Sequence, residues 1–152
     1  MAVSAVTFGA LAFGSAFATD FGVSVGYNSA LPPISIGGAP VVLGLDVGVP
    51  LVLGVGVRGD LDVGLGNFTA RALATMTVLP GILVNAYIGA GLYLRSPLDF
   101  SKPVQTGPAG VIGVSVNLPI LPAVFVEGTG EYDLMPTAAH AIGARAGLRF
   151  RF

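Results

Sequence analysis

A chain of 152 residues has room for one domain, yet only 10% of it is charged and 53% is hydrophobic, against roughly 25% charged in soluble domains, so a water-facing exterior is hard to assemble. A net charge of −1 with no Lys/Arg run gives no basis for binding nucleic acid, and the absence of cysteine excludes disulfides and thiolate metal sites. The 23 glycines and 11 prolines cut the apolar runs of the chain body below the ~18 residues that a membrane-spanning helix needs.

Residues 1–18, MAVSAVTFGALAFGSAFA, form an apolar segment ending in the small-x-small pattern Ala16-Phe17-Ala18. That pattern predicts a secretory leader without its usual basic front, followed by a folded module over 19–152. Residues 21–28 then alternate strictly. Phe21, Val23, Val25 and Tyr27 take one side, Gly22, Ser24, Gly26 and Asn28 the other, which is the period of a strand. A Pro- and Gly-rich loop over 29–40 leads to a second alternating segment, 41–48, with Asp46 on the small-residue side. Pro50 marks a tight turn. A third strand is expected from Leu51 through Val57, with Arg58 and Asp60 on its polar side and the glycine-rich stretch to Asn67 as a turn or frayed ends.

Residues 68–78 set an apolar side against Thr69, Arg71, Thr75 and Thr77, and Pro80-Gly81 turns the chain. Over 84–95 the polar side carries Asn85, Tyr87, Gly89, Gly91, Tyr93 and Arg95. Folding that hairpin at Pro80-Gly81 would lay Gly89 and Gly91 opposite Arg71. A second long loop, 96–108, holds Lys102, the single lysine, and a strand follows over 112–118. Residues 123–132 put Glu127, Thr129 and Glu131 on the polar side, but Phe125 falls there too, and Gly128 and Gly130 fall on the apolar one. A bulge would repair that register.

The last segment, 140–152, HAIGARAGLRFRF, has Ile142, Ala144, Ala146, Leu148, Phe150 and Phe152 on one face and Arg145, Arg149 and Arg151 on the other. Folding it back about Pro136 sets Glu127 beside Arg145. About eight strands result, with connections alternating between short, Pro-marked turns and longer loops. In hydrocarbon an open sheet edge would strand unpaired N–H and C=O groups at several kcal/mol each. The expected fold is therefore all-β: a closed, antiparallel, up-and-down transmembrane barrel. Eight strands enclose a space that side chains can fill. Asp46, Arg58, Asp60, Arg71, Arg95, Glu127, Glu131, Arg145, Arg149 and Arg151 must pair there or stay wet, so a salt-bridged lumen without an open channel is expected.

The alternation, the turn-and-loop rhythm, the leader-like segment and the terminal Phe together resemble the small eight-stranded bacterial outer-membrane barrels of the OmpA transmembrane-domain and OmpX type. The likeness is one of pattern over about 19–152, with no Trp and with aromatic girdles left to Phe21, Tyr27, Phe68, Phe150 and Phe152. It implies residence in the outer membrane with lipid as the partner of the wall, an even strand number with both termini on the periplasmic side, and Lys102 outside. It further implies recognition of the strand ending in Phe150 and Phe152 by the barrel-assembly machinery, and a role in envelope integrity or surface interaction, with no cofactor.

Other classes have thinner support. A barrel esterase acting on lipid would need a nucleophile, a base and an acid, for which Ser115, His140 and Glu131 are the candidates, although no His-x-Ser spacing accompanies them. A soluble secreted β-sandwich would show the same alternation but with a charged outer face instead of a glycine-rich one. Arg58-Gly59-Asp60 spells an adhesive tripeptide and reads better as a strand end entering a turn.

Overall fold

The computed structural model describes residues 19–134 and 139–152, so the leader-like segment 1–18 and Pro136 lie outside the described residues. Nine strands follow in order: β1 (Asp20–Asn28), β2 (Ile34–Ile36), β3 (Ala39–Pro50), β4 (Val55–Val63), β5 (Asn67–Leu79), β6 (Val84–Pro97), β7 (Gln105–Val116), β8 (Ala123–Tyr132) and β9 (His140–Arg151). Every pairing is antiparallel. β1 pairs with β9 on one side and with β3 on the other, which closes the sheet into an eight-stranded barrel. Closure leaves the barrel no open edge. β2 is a three-residue addition inside the first loop, folded onto the start of β3 through Gly37 and Gly38, both at positive φ.

The two-residue period sorts the side chains as it must. Val25, Leu45, Val57, Leu92, Ile112, Val126 and Ile142 are exposed on the outer wall, whereas Asp46, Arg58, Arg71, Glu127 and Arg145 are buried inside. Every charged side chain except Asp99 and Lys102 points into the barrel or sits at its mouth. The only way to reconcile an apolar exterior with a charged interior is lipid outside, and among the described residues no helix is long and apolar enough to cross a membrane.

Several local expectations give way. Pro50 is still paired, with Gly56, and the turn is 51–54, so the next strand starts at Val55 and not at Leu51. β4 runs on to Val63, because Asp60 and Asp62 alternate with Leu61 and Val63, and only 64–66 is left as a turn. That tight turn breaks the expected alternation of short and long connections. The Arg-Gly-Asp triplet therefore lies within a strand, with Arg58 and Asp60 buried. β7 begins at Gln105, well inside the expected loop.

The turn between β5 and β6 is 80–83, longer than a Pro-Gly reversal, and the ladder shifts register between Thr77 and Leu79. Arg71 consequently faces Tyr93, while Gly91 and Gly89 face Leu73 and Thr75. No bulge interrupts β8: its ladders to β7 and β9 are continuous, with Phe125 inside and Gly128 and Gly130 outside. Phe125 is tolerated in the lumen because the Arg149 guanidinium lies over its ring, 4.3 Å from the centroid.

Candidate functional site in the barrel lumen

The chemistry of this chain is concentrated inside the barrel. Alternation on β8 projects Glu127 and Glu131 inward four residues apart, and alternation on β9 projects Arg145 and Arg149 with the same spacing. β4 contributes Arg58, Asp60 and Asp62, and β5 contributes Arg71. At the loop end Arg95 pairs with Glu131 and lies 3.7 Å from Asp133, whose carboxylate accepts the Tyr93 hydroxyl. Below that level Arg71 reaches Glu131 at 2.5 Å and Asp62 at 2.7 Å. Arg145 binds Glu127 on the adjacent strand at 2.8 Å and crosses to Asp60 and Asp62 at 2.7 and 3.2 Å.

Lowest in the network, Arg58 contacts Asp60 at 2.7 Å and Glu127 at 2.5 Å, and the Tyr87 hydroxyl donates to Glu127 at 2.9 Å. β4 and β8 stand four strands apart whichever way the barrel is traversed, so the Arg58–Glu127 pair ties diametrically opposite walls. Arg149 pairs with Asp46 at 3.0 Å. Forked guanidinium groups suit this arrangement, since each engages two or more carboxylates at once. Beyond Arg149 the lumen opens into a cavity of about 1000 Å³ at the end where Thr19 and Phe152 lie, the terminal end, lined by Gly48, Thr75, Asn85, Ser115 and Asn117 among others. Arg151 and Asp20 pair at its mouth, 2.9 Å apart.

All the charged residues singled out in the sequence thus face one connected interior, with Arg151 at its rim. Asp62 and Asp133 join them without having been singled out. Their signal was present, because each continues the two-residue period of a strand already recognised, but the glycine-dense and Pro-marked surroundings read as turns. Phe150 faces outward beside Phe21 on β1, and Phe152 exchanges two backbone hydrogen bonds with Thr19, so this aromatic end sits at the β1–β9 seam. Tyr27 and Phe68 lie at the loop end, where Phe68 packs edge-on against Phe100.

The esterase candidates are not brought together. Ser115 lines the cavity opposite Phe125, whereas Glu131 lies six residues further along β8, about 20 Å away at strand spacing, and is occupied by Arg71 and Arg95. His140 faces outward and stacks on Tyr132, with ring centroids 5.9 Å apart. Among the described residues no group of His, Asp and Glu side chains is placed to hold a metal ion.

No protein-family model matches the sequence, and no curated protein sequence matches it. The fold has clear counterparts among solved structures. The N-terminal β-barrel domain of Pseudomonas aeruginosa OprF superposes with a TM-score of 0.65 at 13% identity, over 88% of this chain and 97% of that one. Neisserial surface protein A gives 0.63 at 17% identity, over 90% and 97%. The de novo designed TMB2.3 gives 0.62 at 14% identity, over 90% and 94%. The fold is that of the small eight-stranded outer-membrane β-barrels, reached here by a sequence with few identities to any of these.

Proposed function

We propose that this chain is an integral protein of the bacterial outer membrane, a barrel with a filled lumen that serves envelope integrity or surface interaction and neither conducts solutes nor catalyses a reaction. The observation that carries this reading is the Arg58–Glu127 pair between opposite walls, embedded in the Arg71 and Arg145 network above it. A solute would have to break several buried ion pairs to pass, each of which leaves a charge uncompensated in a low-dielectric interior. The apolar wall takes outer-membrane lipid as its partner. The strand that ends in Phe150 and Phe152 is the part offered to the barrel-assembly machinery.

Reconstitution in planar bilayers tests the filled lumen: the expected trace has no steady open level, and a stable solute-permeable conductance would sink the reading. Fractionation of expressing cells tests the location. The protein should be extracted from the outer membrane only by detergent, run with heat-modifiable mobility, and be labelled at Lys102 by an amine reagent that stays outside intact cells. Removal of Phe152 should lower the assembled fraction while leaving refolding into detergent intact.

A further inference from the structure

The three turns at the terminal end carry no charge and, apart from Asn117, which lines the cavity, are apolar: Leu51-Val52-Leu53-Gly54, Pro80-Gly81-Ile82-Leu83, and 117–122, which contains Ile120 and Leu121. Leu53, Ile82 and Ile120 have essentially no protein contact, being 99%, 94% and 104% exposed. Two of these turns give up conformational preference to display them. Leu53 and Gly54 sit at φ 52° and 78°, a pair of positive values that Asn-Gly ordinarily fills, and Ile120 sits at φ 71°, where a β-branched residue is strained. Among the described residues at the loop end the one comparable residue, Phe100 at φ 53°, has Phe68 to pack on. The free charges Asp99 and Lys102 are at that end as well.

We infer that these turns are immersed in the acyl region of the leaflet at the terminal end, so that the barrel sits with its turn tips in lipid instead of in the aqueous space. This rests on the outer-membrane reading above. The apolar band of such barrels is about 25 Å tall, bounded by aromatic girdles whose Tyr rings mark the headgroup level. Tyr27 and Tyr132 mark that level at the loop end, whereas the aromatics at the terminal end are Phe21, Phe150 and Phe152, which have no hydroxyl to anchor in the headgroups, and among the described residues no tyrosine faces outward there. From Tyr132 to Val124, eight residues at ~3.3 Å each on a strand tilted by roughly 40° descend about 20 Å, so a 25 Å band reaches the level of Pro122 and Ile120.

Lipid is the occupant that the arrangement fits. The turns stand between β3 and β4, β5 and β6, and β7 and β8, with Phe152 between β9 and β1, so apolar tips surround the mouth on all sides. A protein docking from one side would cover only part of that ring. A second copy stacked mouth to mouth would need two barrels inserted in opposite directions, whereas assembly into one membrane gives all of them one direction. The tips are also continuous with the lipid-facing wall through Val49, Val78, Val84 and Val124. Arg151, exposed at the mouth and paired with Asp20, reaches past the tips toward the headgroups, as long cationic side chains at a membrane boundary do.

The chain has no cysteine, so single-cysteine variants can be labelled cleanly. Leu53→Cys, Ile82→Cys and Ile120→Cys would carry an environment-sensitive nitrobenzoxadiazole dye, alongside Ile112→Cys on the middle of the wall and Lys102→Cys in the loop, all folded into phosphatidylcholine vesicles. Dyes at 53, 82 and 120 should emit to the blue of the dye at 102, lose most of their emission to doxyl-labelled lipid as the dye at 112 does, and be protected from iodide. Iodide quenching of the three turn dyes with lipid quenching at 112 overturns the inference and leaves the membrane reading standing. That is also the result a water-borne protein partner would give in pure lipid. Iodide quenching at 112 as well overturns both.

Discussion

The two halves of the lumen share one wall and differ in what fills it. The loop-side half is packed solid: Arg71 and Arg145 bridge carboxylates across it, and Leu73, Tyr93, Ala109 and Val111 form a small apolar cluster in the same space. The terminal-side half leaves a cavity of about 1000 Å³ among Gly48, Thr75, Asn85 and Ser115, with Arg58, Tyr87 and Arg149 at its inner end. Both are built from the same strands with the same alternation and the same backbone ladders. Closure and the lipid-facing surface therefore hold the wall, while the charged plug is a separate structure inside it. The plug can therefore be perturbed without opening the cylinder, and substitutions a few residues apart on one strand should differ sharply in cost.

The largest effect is expected where a guanidinium serves several carboxylates. Replacing Arg145 by methionine leaves Glu127, Asp60 and Asp62 without one of their shared cations. Unpairing a buried ion pair costs about 3–5 kcal/mol, so Arg145→Met should lower the unfolding free energy in urea titrations from lipid vesicles by that order. Arg149→Met removes the ion-pair partner of Asp46, a buried acid that borders the cavity, and should cost less, since with the guanidinium gone water from the cavity can reach that acid. Equal losses for the two would show that the halves form a single unit.

The pairing of Glu127 with Arg145 is the part of this network most legible in the sequence. Two adjacent strands with inward charges at matching distance from a reversal can meet in only a few ways, and a slip by one residue would turn Arg145 into the lipid. The assignment of side chains to inner and outer faces was legible for the same reason. What stayed hidden depended on quantities that periodicity does not carry. The lengths of the turns at 51–54 and 80–83 displaced Leu51 from its expected strand and moved Arg71 opposite Tyr93. Phe125 broke the apolar-out rule because a cation–π contact from a different strand compensates it. Asp62 was masked by neighbouring glycines that signal a turn to any local reading but here occupy a strand and its short exit.

Glycine substitutions sharpen the contrast at a smaller scale. A Cβ at Gly91, in the packed half, would collide with the Ala72 carbonyl and stand 2.9 Å from the Leu73 Cα, both backbone atoms that cannot rotate away. Gly91→Ala should therefore destabilise by about 1–3 kcal/mol, the usual cost of overpacking. At Gly48, on the cavity, the nearest atoms to such a Cβ are 3.8 Å away, an ordinary contact. Gly48→Ala should fall within about 0.5 kcal/mol of the parent protein, in line with sites that have room. Matched urea titrations of the two variants decide the point, and a cost at Gly48 comparable to that at Gly91 would mean that the cavity is not space the wall can use.

The smallest effect belongs to the last ion pair on the chain. Arg151 and Asp20 are 2.9 Å apart, but the Arg151 side chain is 64% exposed and has water available on most of its surface. Exposed pairs of this kind contribute about 0–1 kcal/mol, because solvent screens the attraction and ordering a long side chain opposes it. Arg151→Ala should leave the urea midpoint in vesicles unchanged within error, with β1 and β9 still held by the ladder from Asp20 and Arg151 to Asn28 and Gly143. A loss as large as that from Arg149→Met would place the mouth, and not the plug, among the determinants of stability, and the division of the lumen would then lie nearer the termini than Arg149.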